Sequence, residues 1–162
     1  MIPTKIYLDL LRSLLNPIVI VGLLGAAVFY LIVGAQVLNP QYIGWLMGDD
    51  PFTHFLGWHF FRREAWHFPI GLLHSYGMEM GSAIVYTDSI PLLALFFKTL
   101  NPWLPLTFQY FGIWTLLCAV LHGVFAYLLL RQIIPGGVGL PLGACFFLLS
   151  PILWHLAVLR MR

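Results

Sequence analysis

Apolar residues in this chain run together rather than alternating with polar ones. Three stretches carry no Asp, Glu, Lys or Arg at all: Ser13–Gly48, Thr99–Leu130 and Gln132–Leu159. About 20 apolar residues in an α-helix cross the roughly 30 Å hydrocarbon layer of a bilayer, so each run is long enough to span. Their oiliest parts predict transmembrane helices at about 17–38, 106–130 and 138–159. The first exceeds the usual 7–15 residues of a signal-peptide apolar region, which favours a retained anchor. Before it, "KIYLDLLRSLL" reads as a short amphipathic lead-in at the membrane surface. "RQIIPGGVG" is a tight turn that leaves the second and third spans antiparallel.

The pattern changes between the first and second spans. Asp50-Pro51 predicts a helix start, with Asp50 as N-cap and Pro51 at the first helical position, and Pro69 predicts its end. Plotted as a helix, His59, Arg62, Arg63 and His67 share one arc of about 140° among bulky aromatics. "GLLHSYGMEMG" (71–81) is glycine-punctuated and irregular. Ser89–Phe97 is apolar but too short to span, and reads as a helix at the membrane interface. The fold expected is all-α and integral to a membrane. It forms one membrane domain over 1–162, with a long first extracytoplasmic loop over 39–105 that contains interfacial helices.

Composition agrees: 60% of residues are hydrophobic, 9% are charged and mean hydropathy is +0.90. A net charge of +2 gives no sign of nucleic-acid binding. Cys118 and Cys145 fall in separate spans, which suggests packing rather than a disulfide or metal cluster. The acids carry more information. Asp49, Asp50, Glu64, Glu79 and Asp88, five of the six, lie between the first two spans. Lys and Arg are too evenly divided to orient the chain by the positive-inside rule.

The chain has no phosphate-loop lysine motif, no CxxC and no HExxH. Glu64-x-x-His67 has the spacing of a carboxylate di-iron helix, but a di-iron site needs a second such pair. Asp49 and Asp50 are the strongest chemical candidates, because adjacent carboxylates just after a span can act as general base or metal ligand. Capping a helix accounts for Asp50, which leaves Asp49 as the better catalyst. His54, one turn on, can orient a carboxylate or take a proton. Arg62 and Arg63 can hold a phosphate through their guanidinium groups, or can meet anionic lipid headgroups. Glu79 or Asp88 can supply a further carboxylate. His122 reads as a helix–helix hydrogen-bonding residue. His155 lies at a different depth, offset by roughly 13 Å along the helices, so the two do not pair.

"GDDPFTHFLGWHFFRREAWHFPIG", "SYGMEMGSAIVYTDSIPLLALFF" and "LLSPIL" resemble a family of bacterial multi-pass proteins grouped with the C-type glycosyltransferases. That resemblance implies a bacterial inner-membrane protein with a cytoplasmic N-terminus and the first loop outside. It further implies sugar transfer from a polyprenyl-phosphate lipid at the outer face of the membrane. An aspartate early in the first loop acts as base or helps hold a divalent metal, here Asp49 or Asp50. Arg62 and Arg63 are phosphate contacts by charge, with His54 and Asp88 as further substrate contacts. Enzymes of this type often have ten or more spans, so the chain is expected to be an N-terminal fragment. The alternatives are a non-enzymatic membrane subunit or transporter piece, and an inactive truncation. The absence of acids within the spans counts against transport.

Overall fold

A computed structural model of the protein describes residues 16–134, 137, 139–150 and 154, with the backbone but not the side chain of Asp49. The described residues are mostly helical: α1 (Pro17–Ile32), α2 (Asp49–Phe61), α3 (Pro91–Thr99), α4 (Phe111–Ile133) and α5 (Gly139–Leu148). A two-stranded antiparallel hairpin, β1 (Leu72–Leu73) and β2 (Ser82–Ala83), pairs Leu72 with Ala83 and Leu73 with Ser82. Two compact units emerge. One is built from the helices before Leu38 and after Tyr110, and the other from Leu38–Tyr110.

In the helical unit α1 packs along α4, and α4 along α5. Asn16 starts α1 by accepting the Ile18 amide on Oδ1 (3.0 Å), with Pro17 in the first turn, where its missing N–H costs nothing. The helix ends where Gly34 turns left-handed (φ +87°), its amide and that of Val33 both reaching Phe29 O. The close approach of α1 to α4 depends on Gly25, where a Cβ would lie 2.5 Å from Ala119 O. Gly123 answers from α4, since a Cβ there would lie 2.8 Å from Val21 O. Gly22 on α1 is also buried, and there a Cβ would meet side chains alone. His122 donates from Nε2 to Phe147 O on α5 (3.1 Å), the inter-helix role its place in an apolar run predicts.

Only α4 among the described helices is long and apolar enough to cross a membrane, with 23 residues and a mean hydropathy of 2.1 in its most apolar window. It begins at Phe111 rather than near Leu106, because Phe108, Gln109 and Tyr110 are buried in the other unit. With 16 residues, α1 stops short of residue 38, and α5 is described over 10. His155 and the amphipathic lead-in lie outside the described residues.

The Leu38–Tyr110 unit has its own core. Trp58 is fully buried against Phe108 and Tyr110, its Nε1 donating to Phe108 O (2.9 Å). Phe97 of α3 stacks on Tyr110 with ring centroids 5.1 Å apart. The ends of the unit are tied together: Gln109 donates its amide N–H to Pro40 O (2.7 Å) and its Nε2 to Asn39 O (3.0 Å).

Two expectations for α2 are corrected. Asp50 is not its N-cap; Gly48 occupies that position and Asp49 is already helical. The helix also ends at Phe61, well before Pro69. The amides of Arg63 and Glu64 both turn back to Phe60 O, and the Arg62 side chain is drawn inward. His67 is therefore off the helix, and the four-residue basic arc does not form.

Candidate functional site

The best-organised polar cluster lies where α2 meets the turn Thr87–Ile90. Gly57 makes it possible: a side chain there would run into the Thr87 and Ser89 hydroxyls. Both hydroxyls are buried, lie 2.8 Å apart and are committed to backbone carbonyls. Thr87 Oγ1 donates to Ile84 O (3.0 Å) and Ser89 Oγ to His54 O (2.6 Å). The Tyr110 hydroxyl donates to Ser89 O, and burial pushes that phenol's pKa well above its ordinary value.

This network holds a strained turn. Asp88 (φ +50°) and Ile90 (φ +52°) both adopt left-handed backbone, an uncommon state for any non-glycine and a costly one for a β-branched residue. Such strain persists only where the surroundings enforce it, and here the flanking hydroxyls do so. The exposed Asp88 is presented on the outside of the turn.

The same turn orients His54. Its Nδ1 donates to Thr87 O (2.8 Å), so in the neutral ring the proton sits on Nδ1 and the Nε2 lone pair is the basic site. Asp50 precedes His54 by one turn on the same helix face and is exposed. The structure thus puts Asp50, His54 and the Thr87–Asp88 turn in one neighbourhood. Asp49 lies in the first turn of α2, and its side chain is outside the described residues.

The arginines are placed differently. Arg62 lies 12 residues beyond Asp50, about 18 Å along the helix. It is only 7% exposed: Nε donates to Asn101 Oδ1 (2.8 Å), Nη1 to Leu106 O (3.1 Å), and the guanidinium stacks over Trp58. Asn101 returns a bond from Nδ2 to Arg62 O (2.9 Å). Burial, then the nearby Arg63, lowers its pKa. This is a bracing residue, and the phosphate contact expected of it is not available in this conformation. Arg63 is exposed and donates from Nη1 to His59 Nε2. Burial, and then the charges of Arg63 and Arg62, lowers the pKa of His59.

Glu64 and His67, the pair at di-iron spacing, are 3.7 Å apart, with the His74 ring tilted 49° to that of His67 at 4.8 Å between centroids. Among the described residues no group of three or more His, Cys, Asp or Glu side chains is arranged to hold a metal. Ser75 instead occupies the Glu64 carboxylate, Oγ donating at 2.6 Å and the amide at 3.4 Å. The Ser75 hydroxyl is the main reason that the Glu64 pKa lies below its ordinary 4.5. The resulting stabilisation is complete above the unfolded value and is lost as pH falls through the lower folded one. Ser75→Ala is expected to weaken the acid dependence of stability in that window, measured as unfolding midpoint against pH. An unchanged acid limb would refute the assignment.

Sequence reasoning missed Gly57, Thr87, Ser89 and Tyr110. None is a chemical group that a motif would flag, and the only available signal was the "TDS" turn before an apolar helix. Comparisons with curated proteins and with solved structures returned no match. A family model does match, over residues 22–160. That span covers most of the chain, so the protein belongs to the family described as domain of unknown function DUF6311.

Proposed function

We propose that the chain is a multi-pass protein of the bacterial inner membrane that works as a C-type glycosyltransferase. In this reading α1, α4 and α5 mark three spans, the N-terminus is cytoplasmic, and the Leu38–Tyr110 unit is the first extracytoplasmic loop. The donor is a sugar carried on a polyprenyl phosphate. One observation supports the reading above the rest: His54 is locked by Thr87 O with its Nε2 as the basic site, one turn from Asp50 and beside the strained Asp88.

That arrangement suits deprotonation of an acceptor hydroxyl. The acceptor oxygen loses its proton to the Asp50 carboxylate or to His54 Nε2 and attacks the anomeric carbon. The bond from that carbon to the phosphate oxygen breaks, and polyprenyl phosphate leaves with the bonding pair, inverting the anomeric centre. Asp49 shares the first turn of α2 and remains a candidate base. Asp88 is placed to hydrogen-bond a sugar hydroxyl. Arg62 has no part in substrate binding here, and Arg63 is left as the exposed guanidinium of the pair.

In proteoliposomes supplied with polyprenyl-phosphate sugars and hydroxyl acceptors, Asp50→Asn and His54→Phe are expected to lower turnover about 100-fold. Membrane insertion should be unchanged. Undiminished transfer by both variants would sink the assignment. A loop that only binds a partner protein is the second reading, favoured by the almost fully exposed Met78 (95%) and Met80 (94%) at the hairpin tip. It requires that the same variants keep every binding function.

A further inference from the structure

At the far end of α2 from His54, the structure holds a cation that the proposed transferase chemistry does not use. Lys98 on α3 is 5% exposed. Its Nζ lies 4.0 Å from the ring centroid of Phe61 and 4.6 Å from that of Trp66. Among the described residues no carboxylate forms an ion pair with it. Glu64 is the acid that acts on it electrostatically, but that carboxylate is taken up by the Ser75 hydroxyl and amide. Arg62, also buried, commits two of its five N–H donors to Asn101 and Leu106. The one charge that acts on Lys98 is therefore a carboxylate already engaged elsewhere.

Charges taken out of water in proteins are paired or hydrogen-bonded, because an unpaired one is costly. Two aromatic faces offset part of that cost by cation–π attraction but accept none of the three N–H bonds of an ammonium. α3 is also inverted for a helix facing water: it buries Lys98 and Ala94 while exposing Leu92 (80%) and Phe96 (57%). A lysine turned inward, away from the solvent it could have reached, is one with a ligand to meet. One wall of the niche, Trp66, is itself 56% exposed, so the niche borders the surface.

We infer that Lys98, walled by Phe61 and Trp66, is a binding site for a phosphoryl group, supplied either by a lipid headgroup or as free phosphate. A compact ammonium suits a phosphate oxygen as a point charge, and the rings exclude water from the contact. The site goes beyond the transferase reading and stands without it. Phe61 is seven residues from His54, about 10 Å along α2, too far for one phosphate ester to serve both places. Burial lowers the pKa of Lys98, and a bound phosphate reverses that trend.

The chain has two lysines, Lys5 and Lys98, so lysine labelled with ¹³C at Cε gives two signals. The full chain is placed in phosphate-free maltoside detergent micelles and titrated with inorganic phosphate. In parallel, the same micelles are prepared with phosphatidate added. The Lys98 signal, moved upfield by the two rings, is expected to shift saturably. A shift with inorganic phosphate identifies a soluble source, and a shift only with phosphatidate identifies a headgroup. No shift in either series overturns the proposal. Read by isothermal titration calorimetry, which does not depend on the lysine signal, Lys98→Met is expected to weaken the binding at least about tenfold, while Lys98→Arg holds it within a few-fold. If Lys98→Met fails to fold, the wild-type titration still decides. Binding without sugar transfer refutes the transferase and leaves this site standing; transfer without a Lys98 shift does the reverse.

Discussion

Gly57→Val is expected to cost the Leu38–Tyr110 unit about 3–5 kcal/mol, enough to leave it largely unfolded at ordinary temperatures. The cost has two parts. A branched side chain at Gly57 has no room, since even a single carbon there collides with Thr87 and Ser89. Moving those residues aside then breaks the bonds from Ser89 Oγ to His54 O, from Thr87 Oγ1 to Ile84 O and from His54 Nδ1 to Thr87 O. Buried groups left unsatisfied each cost roughly 1–3 kcal/mol. Gly57→Ala should show a smaller loss, recovered in part by Thr87→Gly in the same chain, which removes both the hydroxyl and the Cβ that the added methyl meets. Such coupling between touching residues separates a steric cause from a change in helix propensity. Tryptophan fluorescence during denaturant titration in detergent would report it through Trp58. A Gly57→Val protein as stable as the wild type would rule out this packing.

Arg62→Met is the second large effect, and its character distinguishes two roles for the residue. As a phosphate ligand, Arg62 could be lost with a change in binding alone. As the brace described above, it takes structure with it: Asn101 Oδ1 and Leu106 O lose their donors and Trp58 loses the cation on its face. A loss of about 2–4 kcal/mol is expected, read as a lower unfolding midpoint without any ligand present. Arg62→Lys should recover little of it, because one ammonium cannot reproduce a fork that bonds a side-chain amide and a carbonyl together. A variant of normal stability would return Arg62 to the list of ligand-binding candidates.

These two residues show what could and could not be read from the chain. Helical character was legible in charge-free runs, and α4 follows from its composition alone. The existence of α2 was legible in Asp50-Pro51, but not its limits. Those depend on Arg62 finding Asn101, a partner 39 residues away that no local pattern announces. The direction in which Arg62 points was opaque for the same reason: a helical wheel places a side chain on an arc without saying which arc is buried. His54 stood out as an ionisable group near two acids. Its tautomer did not, since that rests on a backbone carbonyl at Thr87. Nothing along the chain marked Lys98, just past the interfacial stretch Ser89–Phe97, and only its position over two rings shows that it faces inward.

The two bonds from Gln109 to Asn39 and Pro40 carry a consequence for how such a protein changes over generations. They bring the entry and exit of a long insertion to within one hydrogen bond of each other. A segment closed at its base in this way presents the same short gap to the rest of the chain whatever its contents. Its interior can lengthen, shorten or be replaced wholesale while the flanking sequence is left alone. Diversity among relatives is then expected to collect between Gln41 and Phe108, with the residues that close the base changing more slowly than those they enclose.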